Sequence, residues 1–190
     1  MSWTNLTRLA PPDDTPISLA EAKAHLSVFH TDEDALIASL IDAATSFVEG
    51  PNGIGVALLD QTWRLSLDGF PTGPMTIPLG PVKAITSITY RDGAGVFQTV
   101  DPDLYDTDLD ASPCRIWRAP SASWPSLTLR PGSVKVTFTA GSGIDPEEVP
   151  AAIRHAIKLL IGHFYEHRGD TNEEIPGGVH ALLSRYRAGL

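Results

Sequence analysis

Cysteine is almost absent from these 190 residues. Cys114 stands alone, which excludes an internal disulfide framework and any zinc site built on paired cysteines. It lies in Ser112-Pro113-Cys114-Arg115-Ile116 with no base beside it in sequence, so it reads as a small apolar filler. Long apolar runs are missing too. None approaches the roughly 20 residues that span a bilayer, and residues 1–5 lack the basic-then-apolar layout of a secretory signal. The expectation is a chain that stays in the cytoplasm until it joins a larger assembly, with no membrane contact. Basic residues are scarce: 14 Lys and Arg stand against 23 Asp and Glu, for a net charge of −9. Residues 1–150 hold nine basic and nineteen acidic side chains, and residues 151–190 hold five and four. Tight nucleic-acid binding needs clustered cations to neutralise phosphates, so the acidic body excludes a DNA binder but not a neighbour of DNA. The P-loop, the dinucleotide glycine fingerprint and the G-x-S-x-G elbow are all lacking.

What is present suffices for a packed core: 42% of residues are hydrophobic and 19% charged. Residues 1–17, with Pro11, Pro12 and Pro16, read as an extended arm. Ser18-x-x-Glu21 is a capping box, and it opens a short helix over about 19–28 with Leu19, Ala22 and Leu26 on one face. Thr31-Asp32-Glu33-Asp34 starts a second helix, whose acids suit the positive end of the helix dipole. Leu36, Ile37, Leu40, Ile41, Ala44, Phe47 and Val48 follow at spacings of three and four. Gly50-Pro51-Asn52-Gly53 stops it.

From about 57 to 140 the apolar period drops to two, and five to seven antiparallel strands are expected. Arg91-Asp92-Gly93-Ala94-Gly95 is a hairpin turn signal. Asp145-Pro146 then leads into the longest helix, about 149–168, with Ile153, Ile157, Leu160, Ile161 and Phe164 as its stripe. Asp170 to Gly178 reads as a mobile linker, followed by a short helix over 179–187. The layout predicts an α+β fold: a small helical bundle (18–50 and 146–168) with an inserted β region (57–140), one domain over 18–168, then a linker and C-terminal helix over 169–190.

Three motifs carry possible chemistry, and each has a plainer reading. His163-Phe164-Tyr165-Glu166-His167 fits the inverted zinc-peptidase pattern H-x-x-E-H, with two histidines one turn apart beside a glutamate. A third ligand would have to come from the segment after His167, where Glu173 and Glu174 lie, and no oxyanion donor is evident. The plainer reading is a polar helix face with Glu166 and Arg168 exposed. Asp101, Asp103, Asp106, Asp108 and Asp110 resemble a calcium loop, but the central glycine and closing glutamate are missing, so a solvated loop is expected. Trp63, Trp117 and Trp124 lack the interleaved cations of a nucleic-acid platform. Trp63 alternates like a core strand residue, and Trp117 and Trp124 suit a protein contact. Nothing assembles an active site, so no catalytic, metal or cofactor residue is assigned.

The ordered blocks do resemble a family. Pro16-Ile17-Ser18-Leu19-Ala20-Glu21-Ala22-Lys23-Ala24-His25-Leu26, then Asp32-Glu33-Asp34-Ala35-Leu36-Ile37, are similar to the opening of the bacteriophage head–tail connector (adaptor) proteins, including the version in phage-like gene transfer agents. Ala57-Leu58-Leu59-Asp60-Gln61-Thr62-Trp63, Ile77-Pro78-Leu79-Gly80-Pro81-Val82 and Val149-Pro150-Ala151-Ala152-Ile153-Arg154 extend the match, as does His163 to Arg168. The blocks run in order over about 16–168. The segment from Glu49 to Gly55 departs from the family pattern, and nothing from 170 onward matches.

The resemblance implies a structural protein and not an enzyme. It implies a ring, of twelve copies, beneath the portal protein of a phage or gene transfer agent particle. A stopper or tail-completion protein binds below, and DNA passes through the channel without specific binding. Within that expectation the C-terminal helix, with Val179, Leu182, Leu183, Arg185, Tyr186 and Arg187, is the candidate portal contact. The competing readings are another virion module, such as a stopper or tail-completion protein, and a zinc hydrolase on the H-x-x-E-H motif.

Overall fold

The computed structural model describes residues 5–168 and 174–187. The fold is α+β; among the described residues there are four α-helices and eight strands, and the strand pairs are antiparallel. The described residues divide into two compact units, one within 12–59 and 142–187, the other within 5–11 and 60–141.

The helical unit starts at α1 (Leu19–Leu26). Its capping box forms as the spacing predicts: Ser18 Oγ accepts from the Glu21 N–H at 3.2 Å, and Glu21 Oε2 accepts from the Ser18 N–H at 3.2 Å. Ser27 ends the helix in the left-handed conformation, with φ 58°. The second helix, α2 (Asp34–Val48), buries Ile37, Ile41, Ala44 and Val48, one residue per turn. Gly53 then passes so close to α2 that a Cβ on it would lie 1.9 Å from the Val48 carbonyl oxygen, so only glycine fits.

A 3₁₀ turn (Pro146–Glu148) precedes α3 (Ala151–Glu166), which buries Ile153, Ala156, Ile157, Leu160 and Ile161. The last helix, α4 (Gly177–Leu183), turns Val179 and Leu183 into the same core. Each such side chain contributes roughly 1.5–3 kcal/mol on full burial. Of the expected linker, residues 170–173 lie outside the described residues, and 174–176 lead into α4 without helix or strand.

The β unit holds a five-stranded sheet in the order β1-β2-β8-β4-β5 and a three-stranded sheet in the order β3-β7-β6. These are β1 (Leu6–Ala10), β2 (Gln61–Leu67), β3 (Met75–Ile77), β4 (Val82–Arg91), β5 (Phe97–Thr99), β6 (Tyr105–Asp108), β7 (Cys114–Arg118) and β8 (Val134–Ala140). In β8, and in β2 as far as Leu65, every second residue is buried. Trp63, Leu65, Val134, Val136 and Phe138 therefore face the core, and Thr62, Arg64, Lys135 and Thr137 face away. Met75, Ile77, Cys114 and Ile116 are the buried side chains of β3 and β7.

Two segments are more ordered than their composition suggests. Part of the expected N-terminal arm is strand β1, paired from Leu6↔Leu65 to Ala10↔Thr62 with a bulge between Arg8 and Ala10. Its partner lies more than fifty residues away, so nothing local announces the pairing. Asp106 and Asp108, expected in a loop, are on β6, opposite Trp117 and Arg115 of β7. Alternation of Tyr105, Asp106, Thr107 and Asp108 is enough for an edge strand whose acids stay in solvent.

Candidate functional site

The side-chain chemistry of the helical unit gathers at two carboxylates. Glu21 of α1 receives Arg154 Nη2 at 2.6 Å and Lys158 Nζ at 3.1 Å, both from α3. Arg154 Nε also donates to the Pro16 carbonyl at 3.1 Å, which ties the approach to α1 onto α3. Burial alone would raise the Glu21 pKa. The Lys158 hydrogen bond, the Ser18 backbone N–H and the charges of Arg154 and Lys158 outweigh it, and hold the carboxyl at about 2.

Glu33, before α2, accepts from Tyr165 Oη at 2.5 Å and pairs with Arg168 Nη1 at 2.8 Å. The Tyr165 hydrogen bond first, then Arg168, lowers the Glu33 pKa, while the Glu33 bond raises that of Tyr165. Arg168 also lies over the Tyr165 ring at 4.0 Å. A third pair, Lys23 and Asp34 at 2.5 Å, links α1 to the first residue of α2. The Glu21 and Glu33 contacts join residues more than 130 positions apart.

The H-x-x-E-H segment divides its labour in a way that its spacing does not reveal. Phe164 and Tyr165 pack against the helical core, and Tyr165, with Arg168 just beyond the segment, reaches Glu33. His167 is turned back onto its own helix, with Nδ1 2.9 Å from the His163 carbonyl oxygen, and its ring lies 4.6 Å from that of His163. Glu166 is exposed. Among the described residues, no three His, Cys, Asp or Glu side chains converge to hold a metal ion. Cys114 is buried, and burial first, then the nearby Asp108 charge, pushes its thiol up to about 11. It stays protonated at neutral pH and is a poor nucleophile.

What remains are surfaces. Phe29, in the turn between α1 and α2, is 89% exposed. It borders a shallow groove of about 550 Å³ along α1, lined by Leu19, Ala20, Lys23, Ala24 and Val28. In the β unit, Leu129 and Val96 are exposed, and Trp117 is half exposed on β7. Trp63 is core, and Trp124 stacks on Phe70 at 4.5 Å with the rings almost parallel.

The six residues singled out near the C-terminus separate. Val179 and Leu183 are buried in the helical core, with Leu182 and Tyr186 half-buried against it. Arg185 and Arg187 are exposed. The periodicity of α4 does identify an apolar face, but that face is used at home. Sequence reasoning missed the Glu21 and Glu33 clusters, since a carboxylate in a cap or first turn carries no mark of a partner on a distant helix.

Comparison with known proteins matches this picture of a chain made for contacts. The family model described as Phage gp6-like head-tail connector protein matches residues 16–92. Among solved structures, a chain of the "Neck of empty GTA particle computed with C6 symmetry" is 30% identical with a TM-score of 0.82. The match covers 97% of this chain and 96% of that one. A chain of the "Neck of native GTA particle computed with C12 symmetry" is 30% identical with a TM-score of 0.80, and one from the "Virion of native gene transfer agent (GTA) particle" is 28% identical with a TM-score of 0.81, both over the same shares. No curated protein sequence matches. With 30% identity maintained over nearly the full length of both chains, and the connector model matched over the α1–β4 stretch, this chain belongs to the phage head–tail connector family.

Proposed function

We propose that the chain is a structural adaptor of the neck of a tailed-phage-like particle, of the gene transfer agent type, and carries no catalytic activity. Copies close into a ring of twelve beneath the portal protein. The ring leaves a channel for DNA, and a stopper or tail-completion protein binds on the tail side. The observation that carries this is the full-length likeness to chains of a gene transfer agent neck computed with twelvefold and sixfold symmetry. A chain that contacts an unlike face of its next copy closes a ring when the rotation divides a full turn. The absence of a metal cluster among the described residues, and a protonated lone thiol, favour contact over chemistry.

The portal contact in this reading is the C-terminal end. Val179 and Leu183 fix α4 on the core and are not free to dock, so they act by holding the helix in place. Leu182, Tyr186, Arg185 and Arg187 then present a mixed apolar and basic surface to the portal. The test is attachment to purified portal-bearing heads. The full chain binds and permits tail joining, and a chain lacking residues 176–190 does not bind. Unchanged attachment of the shortened chain refutes the portal contact, and failure of the full chain to bind heads at all refutes the adaptor.

A further inference from the structure

The acids of this chain are distributed with one conspicuous gap. The five strands of the larger sheet contain five cations, Arg8, Arg64, Lys83, Arg91 and Lys135, and not one Asp or Glu. In a chain of net charge −9, that is a local reversal of sign. Register sorts the five. Arg8 lies opposite Trp63, on the inward side, and Lys83 is paired with Asp60 at 2.8 Å.

The other three project from the outward face. Arg64 lies opposite Thr137, Lys135 opposite Ser66 and Thr89, and Arg91 opposite Phe97. Opposite and diagonal partners on one face lie within roughly 8 Å of each other, so Arg64 and Lys135 are neighbours. Phe97 gathers the remaining pair: its ring centre lies 4.8 Å from the Arg91 guanidinium carbon and 4.1 Å from Lys135 Nζ. Between these cations the face carries hydroxyls, Thr62, Ser66, Thr137 and Thr139. Among the described residues, none of the three cations is paired with a carboxylate.

The opposite extreme is in the smaller sheet. Asp101, Asp103, Asp106, Asp108 and Asp110 are all exposed, strung along edge strand β6 and its flanks. Like charges this dense repel one another; across the ladder Arg115 of β7 stands opposite Asp108, while Arg118 stands opposite Tyr105. A head-to-tail ring requires two unlike, mutually complementary surfaces on each copy. This chain carries such a pair.

We propose that the outward face of the five-stranded sheet, through Arg64, Lys135 and Arg91, docks the acidic β6 strip of a second copy of this chain. The inference rests on the ring reading and names the contact that closes it. DNA is the other polyanion such a face could meet. Three cations per copy are a small patch against a phosphate backbone, which is gripped by clustered Lys and Arg, whereas the strip of five aspartates offers this face a complementary surface on the chain itself. Opposed charges of this kind also set register, because a slipped or inverted contact places like charges together.

A charge exchange tests the pairing. Full-length chain with Arg64→Glu and Lys135→Glu is added to purified portal-bearing heads, and copies retained per head are counted on quantitative gels after mild chemical crosslinking. Retention and crosslinked oligomers are expected to fall at least about tenfold. Adding Asp106→Lys and Asp110→Lys to the same chain restores complementarity in every copy and is expected to recover most of both. A folding defect is not repaired by charges on a different sheet, so recovery separates docking from stability. Normal retention of the Glu variant overturns the proposal, as does failure of the exchanged chain to recover. A Glu variant that forms normal rings but retains less DNA also overturns it, in favour of a phosphate contact. If the unaltered chain does not load onto heads, the ring reading itself fails, a result distinct from the others.

Discussion

Glu21→Gln isolates one charge in a structure otherwise left intact. Glutamine still closes the capping box, because its carbonyl accepts from the Ser18 N–H as the carboxylate does. It loses the ion pairs to Arg154 and Lys158, which with the retained Ser18 backbone hydrogen bond hold the Glu21 pKa at about 2 against an ordinary 4.5. At full value that difference corresponds to about 3.4 kcal/mol. The carboxylate is one-third exposed, and solvent screening reduces the contribution to about 1–2 kcal/mol. For a chain of this length that is roughly 2–8 °C in Tm.

The pH dependence carries the sharper test. A depressed folded pKa means that the stabilisation is fully present above pH 4.5 and is lost as pH falls towards 2. The gap in Tm between wild type and Glu21→Gln, followed by far-UV circular dichroism, should be constant from pH 7 to about 5. It should narrow between pH 4.5 and 2 and close below that. A gap independent of pH, or no gap at pH 7, refutes the assignment of Glu21 as the electrostatic tie between α1 and α3.

Two further outcomes follow from packing and from the histidine segment. Ile157→Ala empties a fully buried position on α3 and should cost about 2–5 kcal/mol, read as a loss of several degrees in Tm; a change under 1 °C contradicts the core assignment. Added zinc should leave Tm and the proton resonances of His163 and His167 unchanged, since His167 faces its own backbone. Stoichiometric zinc in the purified protein would revive the hydrolase reading.

Local structure was legible where the code is local. The capping box at Ser18, the three-and-four spacing of α2 and α3, the glycine stop after Val48 and the alternation of Trp63 with Leu65 each lie within a few residues. Each has one physical solution at that range. The identity of the family was also readable, because ordered blocks keep their sequence spacing through the fold. The Glu21 and Glu33 clusters were not legible, because their partners lie more than 130 residues away.

The amino-acid order alone therefore determined the helices and the inner strands, the α+β class, and a protein rich in acids. Tertiary structure decided which of those elements met. It recruited Leu6–Ala10 as a strand against Leu65, spent Val179 and Leu183 on the core, and joined Glu33 to Tyr165 and Glu21 to Arg154 across more than 130 residues. It also sorted Arg64, Lys135 and Arg91 onto one face, although in sequence they are scattered over seventy positions among acids. The reason is the same throughout. Hydrogen bonding and periodicity act over a handful of residues, whereas sheet register, helix pairing and the sign of a surface are properties of segments brought together from afar.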